Sequence, residues 1–149
     1  MKLNTKTRYG LRTMLELALN TDRQSGIYQK EIAENQNISN RYLDHIIASL
    51  KAAGLVKNVK GKKSGYRLSR KPDEISMYDI YKAFNYDLQI IECITEDGNC
   101  PRKPSCSAYE FWKNLNICIA DYMVSVKLAE IAGRQQSLNS ANDKLTYYI

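Results

Sequence analysis

The chain has 149 residues, 26% of them charged, with a formal net charge of +6, which is enough for one compact domain or a small domain with an extension. It has no apolar run long enough to cross a membrane and no apolar signal segment at its amino terminus, so we expect a cytoplasmic protein. Residues 1–73 carry 15 Lys and Arg against 6 Asp and Glu, whereas residues 74–149 carry 7 against 10. This asymmetry indicates either a polyanionic partner, such as nucleic acid, for the first half only or a solvated basic face.

Three helices are predicted in the first half of the chain. Apolar residues at helical spacing predict helices over residues 6–20, 28–35 and 40–53. Ser39 is a good N-cap for the third helix, and Gly54 closes it at a position that favours a left-handed backbone. Two helices joined by a tight turn, the second capped by serine, are typical of the helix-turn-helix, in which the second helix reads DNA.

A basic β-hairpin is predicted directly after the third helix. Residues 55–59 and 66–68 have the character of strands, and residues 60–65 form a turn that contains glycine and lysine. Lys60, Lys62 and Lys63 lie at its tip, where they suit contacts with phosphates or with the minor groove. The sequence therefore predicts a winged helix-turn-helix domain over residues 1–73.

The next segment joins a short helix to a loop rich in cysteine. Ser76 is the expected cap of a helix over residues 76–84, and the loop that follows carries Cys93, Cys100 and Cys106. Glycine and proline between these thiols argue against a regular helix or a central strand. In a compartment that keeps thiols reduced, such a cluster favours metal binding or redox chemistry. An iron–sulfur cluster, zinc, a reversible disulfide and inert thiols all stay open.

A single long helix is predicted over residues 107–132, followed by a polar tail that we expect to be poorly ordered unless its last aromatic residues dock. One side of this helix is apolar, and so small a domain cannot cover it, so we expect it to pack on its copy in a second chain. The expected interface residues are Phe111, Leu115, Cys118, Ile119 and Tyr122.

The predicted fold is therefore mainly α with a small β wing, a winged helix-turn-helix with a long C-terminal dimerisation helix. We divide the chain into a DNA-binding domain (residues 1–73), a linker helix with the cysteine loop (74–106), a dimerisation helix (107–133) and a C-terminal tail (134–149). The sequence argues against an iron–sulfur or zinc enzyme, because it has neither a well-placed catalytic histidine nor a phosphate-binding glycine loop.

With winged helix, cysteine loop and long helix in this order, the chain resembles the Rrf-two family of bacterial transcription regulators. The likeness covers nearly the whole chain and is strongest at residues 6–10, 38–44, 54–56, 59–61 and 65–66. It implies a homodimer that binds a palindromic operator, acts as a repressor and is not an enzyme. The first turn of the recognition helix matches the DNA-reading positions of the family, which map to Ser39, Arg41, Tyr42 and Asp44. Lys60 stands where the family has a basic wing residue near the minor groove.

The resemblance also implies a cofactor. In cluster-binding members, the IscR and NsrR types, three loop cysteines ligate a [2Fe-2S] or [4Fe-4S] cluster, and these ligands map to Cys93, Cys100 and Cys106. The likeness to the IscR type favours [2Fe-2S], so the expected signal is iron–sulfur or redox status. The alternative is a cluster-free, CymR-like repressor of cysteine and sulfur metabolism, controlled by a partner protein or by thiol oxidation.

The fourth cluster ligand does not carry over from the family. The IscR type has a histidine three residues beyond the third cysteine, where this chain has Tyr109. The NsrR type takes an aspartate from the first helix of the partner chain, at the position that matches Arg8. The only histidine, His45, lies in the predicted recognition helix. The candidates left are Glu92, Asp97, Tyr109, Glu110, Cys118, a small molecule and a side chain of the partner.

Overall fold

The structure, a computed structural model, describes residues 3–61, 64–95 and 100–146. As predicted, this part is mainly helical with one small antiparallel sheet. Its elements in chain order are α1 (Thr5–Leu19), α2 (Gln29–Gln36), α3 (Asn40–Ala52), β1 (Val56–Asn58), β2 (Tyr66–Leu68), α4 (Met77–Lys82), α5 (Ser107–Ser125) and α6 (Leu128–Thr146). None of the described helices is both long and apolar enough to cross a membrane.

The helix-turn-helix of α2 and α3 forms where the local signals of the sequence place it. Asn37 ends α2 with a φ of 51°, a left-handed conformation that asparagine tolerates. The Ser39 hydroxyl then accepts a hydrogen bond from the Tyr42 N–H at 3.2 Å, which caps α3. Gly54 follows α3 with a φ of 70°. The predicted helices of the first half are thus confirmed, with each bound within about one residue of the observed one.

The wing is a two-stranded hairpin to which one further residue, Ile27, is bridged. β1 and β2 pair antiparallel, with Val56 opposite Leu68, and Ile27 forms an isolated antiparallel bridge with Tyr66. The Tyr66 N–H donates to the Ile27 carbonyl at 2.8 Å, and the Ile27 N–H donates to the Tyr66 carbonyl at 3.0 Å. The segment before α2 therefore continues the sheet of the wing. The predicted hairpin is confirmed in its strands, while Lys62 and Lys63 lie outside the described residues.

The core lies where α1, α3, α4 and the beginning of α6 meet beneath the wing. Met14, Leu43, Ile80 and Leu128, one from each of these helices, are fully buried. Ser76 caps α4 as predicted, with its hydroxyl accepting from the Asp79 N–H at 3.1 Å. The beginning of α6 is therefore part of the same core as α3.

The predicted single helix over residues 107–132 is wrong, because the chain leaves the helix at Val126 (φ −79°, ψ 121°) and begins α6 at Leu128. At this break the Met77 N–H donates to the Val126 carbonyl at 3.0 Å, and the Leu128 N–H donates to the Ile75 carbonyl at 2.8 Å. These two tertiary hydrogen bonds take the place of two backbone hydrogen bonds that a continuous helix would make here. The predicted tail is instead helical as far as Thr146, and residues 147–149 lie outside the described part. The division into four segments stays a prediction.

Candidate DNA interface and cysteine loop

The first turn of α3 is presented to solvent. Ser39, Arg41 and Asp44 are exposed, and Tyr42 is half-buried. The opposite face of α3 is anchored in the core by Leu43, Ile46, Ile47 and Leu50. The polar residues of this turn therefore stand on a rigid helix, as side chains that read base edges must.

Tyr42 is positioned by an aromatic contact with α1. The rings of Tyr9 and Tyr42 lie 5.7 Å apart in an edge-to-face arrangement. The guanidinium carbons of Arg8 and Arg12 lie 5.1 and 5.4 Å from the centre of the Tyr9 ring, which are cation–π distances. Sequence reasoning gave Tyr9 no role, although it lies in one of the segments that carry the family resemblance. Arg8 and Arg12 thus bring two cations close to Tyr9, the residue of α1 that contacts α3.

Asp44 is held by Gln29, the first residue of α2. The Gln29 Nε2 donates to Asp44 Oδ1 at 2.5 Å and to the Asn40 carbonyl at 3.3 Å. The Tyr66 hydroxyl, in β2 of the wing, donates to Gln29 Oε1 at 3.3 Å. Sequence reasoning missed Gln29, because nothing local distinguishes it from other polar residues at the start of a helix.

The wing is basic on its face as well as at its tip. Lys60 is exposed two residues after the end of β1. Lys57 lies opposite Arg67 in the strand pair, and both are exposed. Like charges directly opposite in a sheet repel, and a polyanion such as the DNA backbone relieves this repulsion.

The cysteine loop is described on both sides of residues 96–99. Cys93 and Cys106 are half-buried, Cys100 and Cys118 are exposed, and all four thiols are free. Where the chain is described, no three His, Cys, Asp or Glu side chains lie together in an arrangement that could hold a metal ion. Among the candidate fourth ligands, Asp97 lies outside the described residues.

An iron–sulfur cluster can be tested against these residues by chemistry and by geometry. Three thiols on one loop supply the soft donors that such clusters need, and none of them is fully buried. In the described residues, however, these thiols do not form a group that could hold a metal ion. Tyr109, at the position of the histidine of the IscR type, is half-buried, with Lys103 Nζ 5.0 Å from the centre of its ring. The residues therefore fit the cluster in donor type, and the fourth ligand stays open.

Several apolar side chains of the expected dimerisation helix, α5, are exposed in the described part of the chain. None of the residues of α5 is buried, and Phe111, Leu115 and Tyr122 are 59%, 37% and 69% exposed. Cys118 is also exposed, and Ile119 is half-buried. An apolar groove of about 510 Å³ opens between the end of α5, α4 and the beginning of α1. Large apolar side chains exposed together on one helix are typical of a protein interface.

Comparisons with known proteins agree with this architecture. The family model Rrf2, described as an iron-dependent transcriptional regulator, matches residues 3–134. IscR of Aliivibrio salmonicida is 33% identical over 131 residues, which cover 88% of this chain and 77% of that protein. CymR, the global cysteine regulator of B. subtilis, has a similar structure, with a TM-score of 0.72 and 31% identity over 90% of this chain and 98% of that one. IscR of T. potens gives a TM-score of 0.72 and 30% identity over 91% of this chain and 88% of that one.

Proposed function

The chain belongs to the Rrf2 family of transcriptional regulators, and on this premise we propose that it is a homodimeric repressor that senses iron–sulfur or redox status. Its relatives regulate transcription and are not enzymes. The observation that carries the proposal is the exposed polar turn of α3 beside a basic wing, on a chain whose loop carries three cysteines. It acts on DNA in the cytoplasm.

The DNA contacts follow from the exposed groups. Arg41 pairs with guanine or with a phosphate, and Asp44 accepts a hydrogen bond from cytosine N4 in the major groove. Ser39 and Tyr42 complete the reading surface of α3. On the wing, Lys60, Lys62 and Lys63 contact phosphates or the minor groove. The net charge of residues 1–73 favours all these contacts, because DNA binding gains free energy when lysine and arginine displace counterions from phosphates.

A second copy of the chain covers α5. The apolar side chains Phe111, Leu115 and Tyr122 are exposed in the single chain, and a two-fold axis that relates the α5 helices of two subunits buries the same patch of both. Two recognition helices related by such an axis read the two half-sites of a palindromic operator. Homodimerisation is thus part of the DNA-reading mechanism.

The cysteine loop holds the sensor. Cys93, Cys100 and Cys106 would ligate an iron–sulfur cluster, with [2Fe-2S] favoured over [4Fe-4S] by the likeness to IscR. When bound, the cluster supplies a redox-active group that can change charge or be lost. The loop is coupled to α5, because the Ile90 N–H donates to Asn116 Oδ1 at 3.1 Å and Cys106 directly precedes α5. A rearrangement of the loop therefore reaches the helix that sets the spacing of the recognition helices.

Anaerobic purification tests the cluster. We expect a brown protein that absorbs visible light and contains iron and sulfide in matching amounts. The triple variant Cys93→Ala, Cys100→Ala, Cys106→Ala should be colourless, whereas Ser107→Ala, which leaves every thiol and every candidate ligand in place, should keep its colour. A triple variant with full iron and sulfide content would refute the ligand assignment. Selection of duplexes from a random pool tests DNA binding separately.

A cluster-free regulator of the CymR type is the second candidate. It is favoured by two observations: the described side chains form no group that could hold a metal ion, and Tyr109 stands where the IscR type has a histidine. The similarity to CymR is as high as that to IscR. In this case the protein would stay colourless after anaerobic reconstitution, and oxidation of its thiols or a partner protein would change its affinity for the selected duplex.

A further inference from the structure

We infer that Gln29 is a positioning residue for base recognition, which aims the Asp44 carboxylate at the base edge and joins it to the wing. The inference rests on the proposed function, in which Asp44 reads a base. It adds a residue from α2 and a residue from β2 to the reading apparatus of α3. The three side chains form a chain of hydrogen bonds from Tyr66 through Gln29 to Asp44.

An exposed carboxylate near DNA must be aimed if it is to discriminate between bases. Phosphates repel it, and a free aspartate on a helix surface samples several rotamers. Gln29 Nε2 occupies Asp44 Oδ1, and among the described residues no ion pair engages Asp44. Oδ2 has no hydrogen-bond donor in that part of the chain, so it is left to accept from an amino group of a base.

The partners of Gln29 also determine which way its amide points. The Asp44 carboxylate and the Asn40 carbonyl only accept hydrogen bonds, so they require the amide nitrogen on their side. The Tyr66 hydroxyl then donates to the amide oxygen on the other side. Tyr66 also makes two backbone hydrogen bonds with Ile27. The position of the Asp44 carboxylate is therefore fixed relative to the wing as well as to α3.

The substitution Gln29→Glu separates the two halves of this link. A glutamate keeps the size of the side chain and an acceptor for the Tyr66 hydroxyl, but it replaces the donor to Asp44 with a second carboxylate that repels it. The matched control is Gln24→Glu, which adds the same charge at an exposed position before α2. A general loss of affinity from the added charge should appear in both variants, and a loss of base discrimination only in Gln29→Glu.

The experiment measures base discrimination with the full-length dimer. A duplex is selected from a random pool with the wild-type protein, and every base pair of one half-site is then substituted in turn. Dissociation constants are measured for the wild type, Gln29→Glu, Asp44→Ala, the double variant and Gln24→Glu. Circular dichroism and thermal unfolding establish that each variant is folded. We expect Asp44→Ala and Gln29→Glu to lose discrimination at the same base pair, each by about 5- to 10-fold, and the double variant to lose no more.

The outcomes distinguish this inference from the proposed function. If Asp44→Ala loses discrimination and Gln29→Glu keeps it, or lowers affinity equally for every duplex, the positioning role is overturned and the DNA-reading proposal stands. If Asp44→Ala changes no preference, the base-reading role of Asp44 falls and the positioning role with it. If the wild type selects no sequence, the proposed function itself is overturned.

Discussion

The close approach of Gly65 to the segment before α2 makes the substitution Gly65→Ala a sharp test of the wing's construction. An ideal Cβ at this position would lie 2.7 Å from the backbone N, C and O atoms of Ile27. These atoms cannot swing aside as the end of a side chain can. Either the segment that contains Ile27 moves away from the wing, or it stays where it is and the protein is strained by the steric clash.

The magnitude follows from the hydrogen bonds at risk. Gly65 N–H donates to the Ser25 carbonyl at 3.0 Å, and Ile27 and Tyr66 exchange the two further bonds of the bridge. Each such bond contributes about 0.5–1.5 kcal/mol, and overpacking in place costs about 1–3 kcal/mol. Either route lowers the free energy of unfolding by about 2–3 kcal/mol. Loosening the wing should also weaken binding to the selected duplex.

The matched control is the same substitution in α6. A Cβ added at Gly133 would meet no atom within 4 Å, and alanine is favoured over glycine in a helix by up to about 1 kcal/mol. Gly133→Ala should therefore stabilise the protein where Gly65→Ala destabilises it. Both are measured by urea unfolding at one protein concentration, because the stability of the proposed dimer would depend on concentration. A Gly65→Ala variant within about 0.5 kcal/mol of the wild type would refute the proposed packing of the wing.

Three further predictions concern α3, α5 and the wing. Ser39→Ala removes the cap of α3 and should lower the free energy of unfolding by about 1 kcal/mol; an unchanged urea midpoint would contradict this. Tyr122→Asp should convert the proposed dimer to a monomer in light scattering with its helix content kept, whereas Leu138→Asp, at a side chain of similar exposure in α6, should leave that dimer intact. Lys60→Ala should reduce the slope of log K against log salt by about 1 per subunit, if Lys60 contacts a phosphate; an unchanged slope would exclude that contact.

Local chemistry in the sequence determined most of the DNA-binding half. The cap at Ser39, the glycine after α3 and the spacing of the buried residues Leu43, Ile46 and Leu50 act within a few residues of one another. These local signals therefore act independently of how the rest of the chain folds. The same signals identified the exposed first turn of α3 and the basic hairpin, because a residue's face follows from helical and strand periodicity once the element is known.

The tertiary structure alone decided how side chains from different elements meet. Gln29 lies 15 residues before Asp44 and 37 residues before Tyr66 in the sequence, yet it is hydrogen-bonded to both. No local sequence pattern relates these three residues. Tyr9 likewise acquires its role only when α1 packs against α3 and its ring meets Tyr42. Such contacts depend on the packing of whole elements, which single positions do not encode.

The break between α5 and α6 shows most clearly what local sequence patterns cannot predict. Val126-Lys127-Leu128 contains neither proline nor glycine, and the apolar spacing of α5 runs through it, so the sequence favours a continuous helix. The chain departs from the helix because Val126 and Leu128 exchange backbone hydrogen bonds with residues 75–77 and because Leu128 is fully buried in the core. Helical propensity amounts to less than about 1 kcal/mol per residue, whereas burying a leucine side chain contributes about 2–3 kcal/mol. Tertiary burial therefore outweighs the local preference at this point of the chain.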